Sequence, residues 1–196
     1  MGEYVIDEKV SAFKFTNAYK VFDSSGAQIG AVEQQKVSGG AKAARLLLGS
    51  SMKALQAFKL DIKDLNGAIL AGVERRGMSS GLRGIREINI YDGTGRSIGA
   101  IKTLFSMLKP KMEIMSPAGE AIGRIQGDWK GWNFTIADAS GAEIGTVSKK
   151  WNGAMKELFT TADKYRVSLS PRAVGVYRVA IVAAAITIDM VLKETS

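Results

Sequence analysis

Apolar and polar residues alternate in short runs along most of this chain, and the runs come in pairs. Tyr19–Phe22 is followed by Ile29–Val32, Phe58–Ile62 by Ile69–Val73, and Ile88–Tyr91 by Ile98–Ile101. Met112–Met115 precedes Ile122–Ile125, and Phe134–Ala137 precedes Ile144–Val147. Alternation and β-branched content favour strand over helix in such runs. Each pair is separated by one phrase: Asp23 to Gly26, Asp64 to Gly67, Asp92 to Gly95 and Asp138 to Gly141, with a degenerate copy from Ser116 to Gly119. Asp or Ser at the first position of a tight turn bonds the backbone two residues on, and glycine at the fourth accepts positive φ. The pattern therefore predicts five hairpins, or ten strands. Ala12–Phe15 and Tyr165–Leu169 also alternate and bring the number to about twelve.

After four of the five turn glycines comes an Ile-Gly pair: Ile29-Gly30, Ile98-Gly99, Ile122-Gly123 and Ile144-Gly145. The copy at Gly67 breaks the rule and reads Ile69, Leu70, Ala71, Gly72. Such a glycine marks a bulge, or the close approach of another element to the sheet; the second reading is the one favoured here. Many antiparallel strands in a short chain suggest a sandwich or a closed barrel, and a barrel also removes exposed edges.

The chain ends differently. Residues 172–193 form one predicted helix, apolar almost all round through Val179, Ile181, Ala184 and Ile188, with Asp189 closing the apolar run. Such a helix is buried or crosses a membrane. The uninterrupted run from Val179 to Ile188 is half of the roughly 20 residues a span needs, and Arg178 and Asp189 bracket it. Burial is the expectation, giving a mainly β, α+β architecture: about twelve antiparallel strands closed as a barrel around a hydrophobic C-terminal helix. A second helix is predicted over 41–57, as a cap on one barrel end.

Composition then narrows the chemistry. A length of 196 residues without linker or charge block fits one domain, 1–196. Zero His removes the commonest general base and metal ligand, and zero Cys removes disulfides and thiolate sites. No nucleophile–base pair, phosphate loop or metal cluster is evident, so no catalytic residue, cofactor or metal is assigned. The acidic N-terminus is not expected to be a signal peptide. A net charge of +8 favours anionic partners. Basic residues cluster at Arg75-Arg76 with Arg83 and Arg86, at Lys109 and Lys111, and at Lys149-Lys150. Trp129 to Trp132 and Lys149 to Trp151 set lysine beside indole. Such pairs suit a lipid interface or stacked bases, or place a core Trp beside a surface Lys.

In the C-terminal third, Lys149-Lys150-Trp151, Lys156 to Phe159, Ala162 to Val167 and Ala183 to Asp189 follow in order. This set resembles the end of the phospholipid scramblase family and is similar to the related LURP-one proteins. Both share the Tubby C-terminal-like fold, and the hairpin phrases extend the likeness across about 13–193. The resemblance implies a twelve-stranded barrel around a hydrophobic helix, association with membranes, and calcium-stimulated movement of phospholipid between leaflets. Eukaryotic scramblases carry an acidic calcium-binding segment where this chain reads Thr160 to Arg166 with Asp163 as its one carboxylate. A calcium site takes several carboxylates among six to eight oxygens, so no calcium binding is expected there.

The expected function is thus that of a non-enzymatic, scramblase-related protein that binds anionic phospholipid headgroups. Arg75, Arg76, Lys149, Lys150 and Trp151 are the candidate contacts. It is expected to be a monomer, cytoplasmic and peripheral at the inner face of a membrane. The alternatives are a genuine scramblase, or a nucleic-acid- or protein-binding regulatory module of the same fold.

Overall fold

A computed structural model describes residues 2–8, 18–35, 57–77, 87–104, 111–128, 130–149 and 164–194. Twelve strands follow in chain order: β1 (Gly2–Glu8), β2 (Ala18–Asp23), β3 (Gln28–Gln34), β4 (Phe58–Asp64), β5 (Ile69–Arg75) and β6 (Glu87–Asp92), then β7 (Ser97–Leu104), β8 (Lys111–Met115), β9 (Ala121–Asp128), β10 (Asn133–Asp138), β11 (Glu143–Ser148) and β12 (Lys164–Leu169). One helix, α1 (Val176–Glu194), follows them. Every strand pairs antiparallel with its neighbours in sequence, and β12 pairs with β1 to close the barrel.

The five turn phrases all form the predicted hairpins. Gly26, Gly67, Gly95, Gly119 and Gly141 adopt φ between 83° and 86°. At each turn the glycine N–H donates to the carbonyl of the first turn residue, at 3.0–3.2 Å. In the Asp92 turn, the carboxylate accepts from the Thr94 N–H, the Thr94 hydroxyl and the Arg96 N–H, at 2.9, 2.6 and 3.0 Å. Asp23 and Asp138 repeat this set with Ser25 and Ser140. These hydroxyl bonds hold the three carboxyls below the ordinary value of 3.8, aided by the turn N–H groups and opposed by desolvation.

The Ile-Gly pairs prove to be bulges. Val21 pairs with Gly30 and Phe22 with Gln28, which leaves Ile29 as the extra residue of β3. Ile98, Ile122 and Ile144 are extra in the same way. In β5 the extra residue is Leu70, and Ala71 stands where the others have glycine. The glycine is favoured chiefly because the neighbouring strand is close: a Cβ on Gly30 would stand 2.5 Å from the Lys63 carbonyl oxygen. The expected approach of the helix holds at Gly99, near Val176, and at Gly145, near Ile181. At Gly30 and Gly123 the crowding atoms belong to the sheet.

The inner faces of all twelve strands converge on α1. Ile6, Val32, Leu60, Val73, Ile90, Ile101, Ile114, Ile136, Val147 and Val167 surround it, all fully buried. Ala180, Ala183, Ala184 and Ala185 let the helix pass, and Ile181, Ile186 and Ile188 fill the gaps between strands. Val179 is partly buried against the same core. Asp189 lies within the helix, as its place in the sequence implies. At the start of α1, the Tyr177 hydroxyl donates to the Ile122 carbonyl at 2.8 Å, and Arg178 donates to the Tyr4 hydroxyl at 3.0 Å.

Two expectations change. The helix begins at Val176 rather than 172, because residues 171–175 turn and Gly175 takes φ 55°. The first strand is Gly2–Glu8, which pairs with both β2 and β12. It alternates less cleanly than the other strands because Val5 is buried although it lies between the inward Tyr4 and Ile6. Ala12–Phe15 and most of the predicted helix at 41–57 lie outside the described residues.

Two predictions follow from this packing. Ile181→Ala removes buried methylenes at the barrel axis and is expected to cost about 2–5 kcal/mol, read as a lower urea midpoint; a change within ±0.5 kcal/mol would place Ile181 outside the core. The three hydroxyl-capped carboxylates have lowered folded pKa values. Their contribution is therefore complete above about pH 4, the unfolded value, and is lost as pH falls through the folded values. A Ser25→Ala/Thr94→Val/Ser140→Ala variant is expected to be less stable than the parent at pH 7. That difference should shrink at pH 3. A difference that is independent of pH would contradict the assignment.

Candidate functional site

An up-and-down barrel has two ends, and here they differ in chemistry. The five tight turns, the start of β1 and the end of β12 lie at one end, called the turn end. The remaining six connections, 9–17, 35–57, 76–86, 105–110, 129–132 and 149–163, join strands at the far end. These six hold fourteen of the 27 Lys and Arg but only two of the 19 acidic residues, Glu157 and Asp163. The rest of the chain keeps 13 basic and 17 acidic residues and is net negative. In the sequence, the basic excess therefore falls in the segments that connect strands at the far end, where Arg76, Lys130 and Lys149 are the described cations.

The wall between the ends is close to neutral because its charges pair across strands. Lys63 meets Glu33 at 2.8 Å, Lys164 meets Asp7 at 3.6 Å, and Arg166 lies 3.9 Å from Glu3. The Glu33 carboxylate raises the Lys63 pKa through its hydrogen bond and its charge. Such surface pairs add little stability, but they cancel the field of the wall. At the turn end, four strands finish in Asp, and Glu120 and Glu143 add to them. Leu65, Leu70 and Val174 are exposed there, at 65%, 56% and 65%.

The far end separates the sequence-predicted residues. Arg76 is exposed just beyond β5. Arg75 is 3% exposed; its guanidinium stands 4.9 Å from the centre of the Phe58 ring, inside the barrel mouth. It is thus packed in the core, unlike its exposed neighbour Arg76. Alternation along β5 explains the difference: Ala71, Val73 and Arg75 occupy alternate positions, and all three are buried. Lys149 is half-buried with its ammonium 4.3 Å above the Trp132 ring. Lys150 and Trp151 lie outside the described residues, as does most of the segment from Thr160 to Arg166. Lys111 and Lys130 are further exposed cations at this end.

Trp132 belongs to one of the Trp-Lys phrases of the sequence, which does not show its geometry. It has φ 49°, the one positive value outside glycine among the described residues. Its ring lies 5.8 Å from Tyr165, tilted by 31°, and 6.1 Å edge-on from Phe134. The sequence also hid the charge polarity. The signal was available in the alternation of short acidic turns with longer basic connections, and it becomes a spatial statement once the strands run up and down.

Among the described residues no three His, Cys, Asp or Glu gather as metal ligands. No helix there is long and apolar enough to cross a membrane.

Comparison with known proteins agrees with the architecture. The family model described as Scramblase matches residues 6–194. The barrel is similar to the X-ray structure of the Arabidopsis thaliana protein AT5G01750, with a TM-score of 0.57 and 10% identity over 95% of this chain and 90% of that one. At that identity the likeness shows the fold, a Tubby C-terminal-like barrel. No curated protein matches the chain significantly.

The contrast between adjacent arginines is testable. Arg75→Ala opens a cavity beside Phe58 and is expected to lower the urea midpoint by about 1–3 kcal/mol of stability. Arg76→Ala should leave the midpoint within about 0.5 kcal/mol. Equal effects would mean that both side chains share one environment.

Proposed function

Since the chain belongs to the Scramblase family, we propose that it is a non-enzymatic barrel that binds anionic phospholipid headgroups through its far end. The observation that supports this reading is that the sequence puts fourteen basic and two acidic residues in the six segments that connect strands at one barrel end, with Arg76, Lys130 and Lys149 described there. Each Lys or Arg near an anionic leaflet contributes about 1 kcal/mol, within a Debye length of the surface. Many cations and few anions in the connections of one end suit a multivalent anionic surface better than a small ligand. Arg76 and Lys149 are then the candidate contacts among the described residues, and Lys150 and Trp151 extend them in sequence. In this reading the protein is a monomer at the cytoplasmic face of a membrane, held peripherally.

Movement of lipid between leaflets by insertion of α1 is disfavoured by packing. Releasing the helix into lipid would rebury its own side chains but expose inward residues of the barrel to water, among them Leu60, Ile101 and Ile136, all fully buried. At about 1.5–3 kcal/mol for each large side chain, these three alone cost about 5–9 kcal/mol, comparable with the whole stability of a typical domain. The barrel would also lose its filling. Nucleic acid is the second anionic partner that the same end could hold, because its phosphates present a similar charge.

Flotation of the purified protein with vesicles tests the reading. Binding to vesicles containing phosphatidylserine, but not to neutral vesicles, is expected, with loss at about 0.5 M salt as the Debye length falls below roughly 5 Å. Arg76→Glu/Lys149→Glu should weaken it. Salt-resistant flotation with both lipids would mean helix insertion and would revive the scramblase reading. Failure to float together with salt-sensitive retention of single-stranded DNA would replace lipid by nucleic acid.

A further inference from the structure

The turn from β9 to β10 and the residue after β11 are built as one unit. The Asp128 carboxylate accepts from the Lys130 N–H at 3.0 Å, and it stands where a Cβ on Gly131 would be. The chain then enters Trp132 at φ 49°, a conformation that non-glycine residues rarely adopt. The Trp132 carbonyl accepts the Lys149 N–H at 3.0 Å. This bond ties the two backbones together and sets the Lys149 ammonium 4.3 Å above the indole. Beneath, the indole rests on Tyr165 and Phe134, both fully buried. The indole itself is only half-buried, at the mouth of the basic end.

Core packing explains why an aromatic ring sits on Tyr165. It does not explain why the backbone is held in a rare conformation to bring that ring to the rim. Strained residues of this kind cluster at functional positions. Indole, with an apolar body and one N–H, favours the boundary between lipid headgroups and acyl chains. An ammonium over an indole face at a partly exposed site is weakly held and free to exchange the ring for a phosphate.

We infer that Trp132 and Lys149 form the membrane contact point: the indole seats at the glycerol level of an anionic leaflet while the Lys149 ammonium takes a lipid phosphate. The barrel then stands on its far end, with the exposed Leu65 and Leu70 of the β4–β5 hairpin directed away from the bilayer. This rests on the lipid-surface reading given above. The rival orientation places that apolar hairpin in the membrane. It is disfavoured because strands at the turn end finish in Asp23, Asp64, Asp92 and Asp138, which an anionic leaflet repels.

The test uses full-length protein with Trp129→Phe/Trp151→Phe, which leaves Trp132 as the one indole. It is mixed with phosphatidylserine-containing vesicles brominated near the glycerol end of the acyl chains. Quenching of Trp132 emission at low salt, reversed by high salt, is expected. In the parent protein, Trp132→Phe keeps an aromatic ring against Tyr165; it and Lys149→Gln are each expected to weaken vesicle binding about tenfold. Leu65→Ser/Leu70→Ser should leave binding unchanged. Flotation without quenching overturns this inference alone, as does loss of binding in the leucine variant with none in Trp132→Phe. Absence of any flotation by the parent overturns the lipid reading and this inference together.

Discussion

The structure depends on one pairing, β1 with β12, made around one helix. Without that ladder the meander would be an open sheet with two bare edges, and α1 would have an exposed flank. Six residue pairs, from Gly2–Leu169 to Asp7–Lys164, close it. Tyr4 serves both parts: its backbone lies in the ladder and its hydroxyl accepts from Arg178 on the helix. The alanines of α1 are what permit closure, because a helix about 10 Å wide must fit among inward Ile, Val and Leu from every side. Sheet and helix therefore depend on each other.

An up-and-down barrel also sorts its connections, and this gives the molecule its polarity. Short turns with internally satisfied carboxylates gather at one end, and the basic connections gather at the other. The carboxylates of Asp23, Asp92 and Asp138 are engaged by their own turns, so their role at that end is structural. The wall cancels its own charge through pairs such as Lys63–Glu33. What is left to act at a distance is the far end.

Much of the fold was legible in the sequence because its signals are local. An Asp or Ser, two spacers and a glycine at φ near 85° specify a hairpin, and all five copies formed one. The helix was legible because no surface helix is apolar on all sides. The role of the Ile-Gly pairs was harder to read, because a bulge is defined by its partner strand. Only the register shows that Leu70, not Ile69, is extra in β5 and that Ala71 replaces the glycine. β1 was missed because a strand buried on both faces at Val5 loses its alternation. For the candidate site, the sequence named basic residues but could not separate the buried Arg75 from the exposed Arg76. Adjacent residues in and beyond a strand face opposite environments, and the choice depends on which face the barrel closes over.

The central claim is that the far end of the barrel meets an anionic membrane. Amide hydrogen exchange with and without phosphatidylserine vesicles tests it most directly, because it locates the contact on the fold. The account predicts added protection around Arg76-Gly77, Lys130 to Trp132 and Lys149, with the turns at Gly26, Gly95 and Gly141 unchanged. Protection confined to those turns and the Leu65–Leu70 hairpin would contradict it.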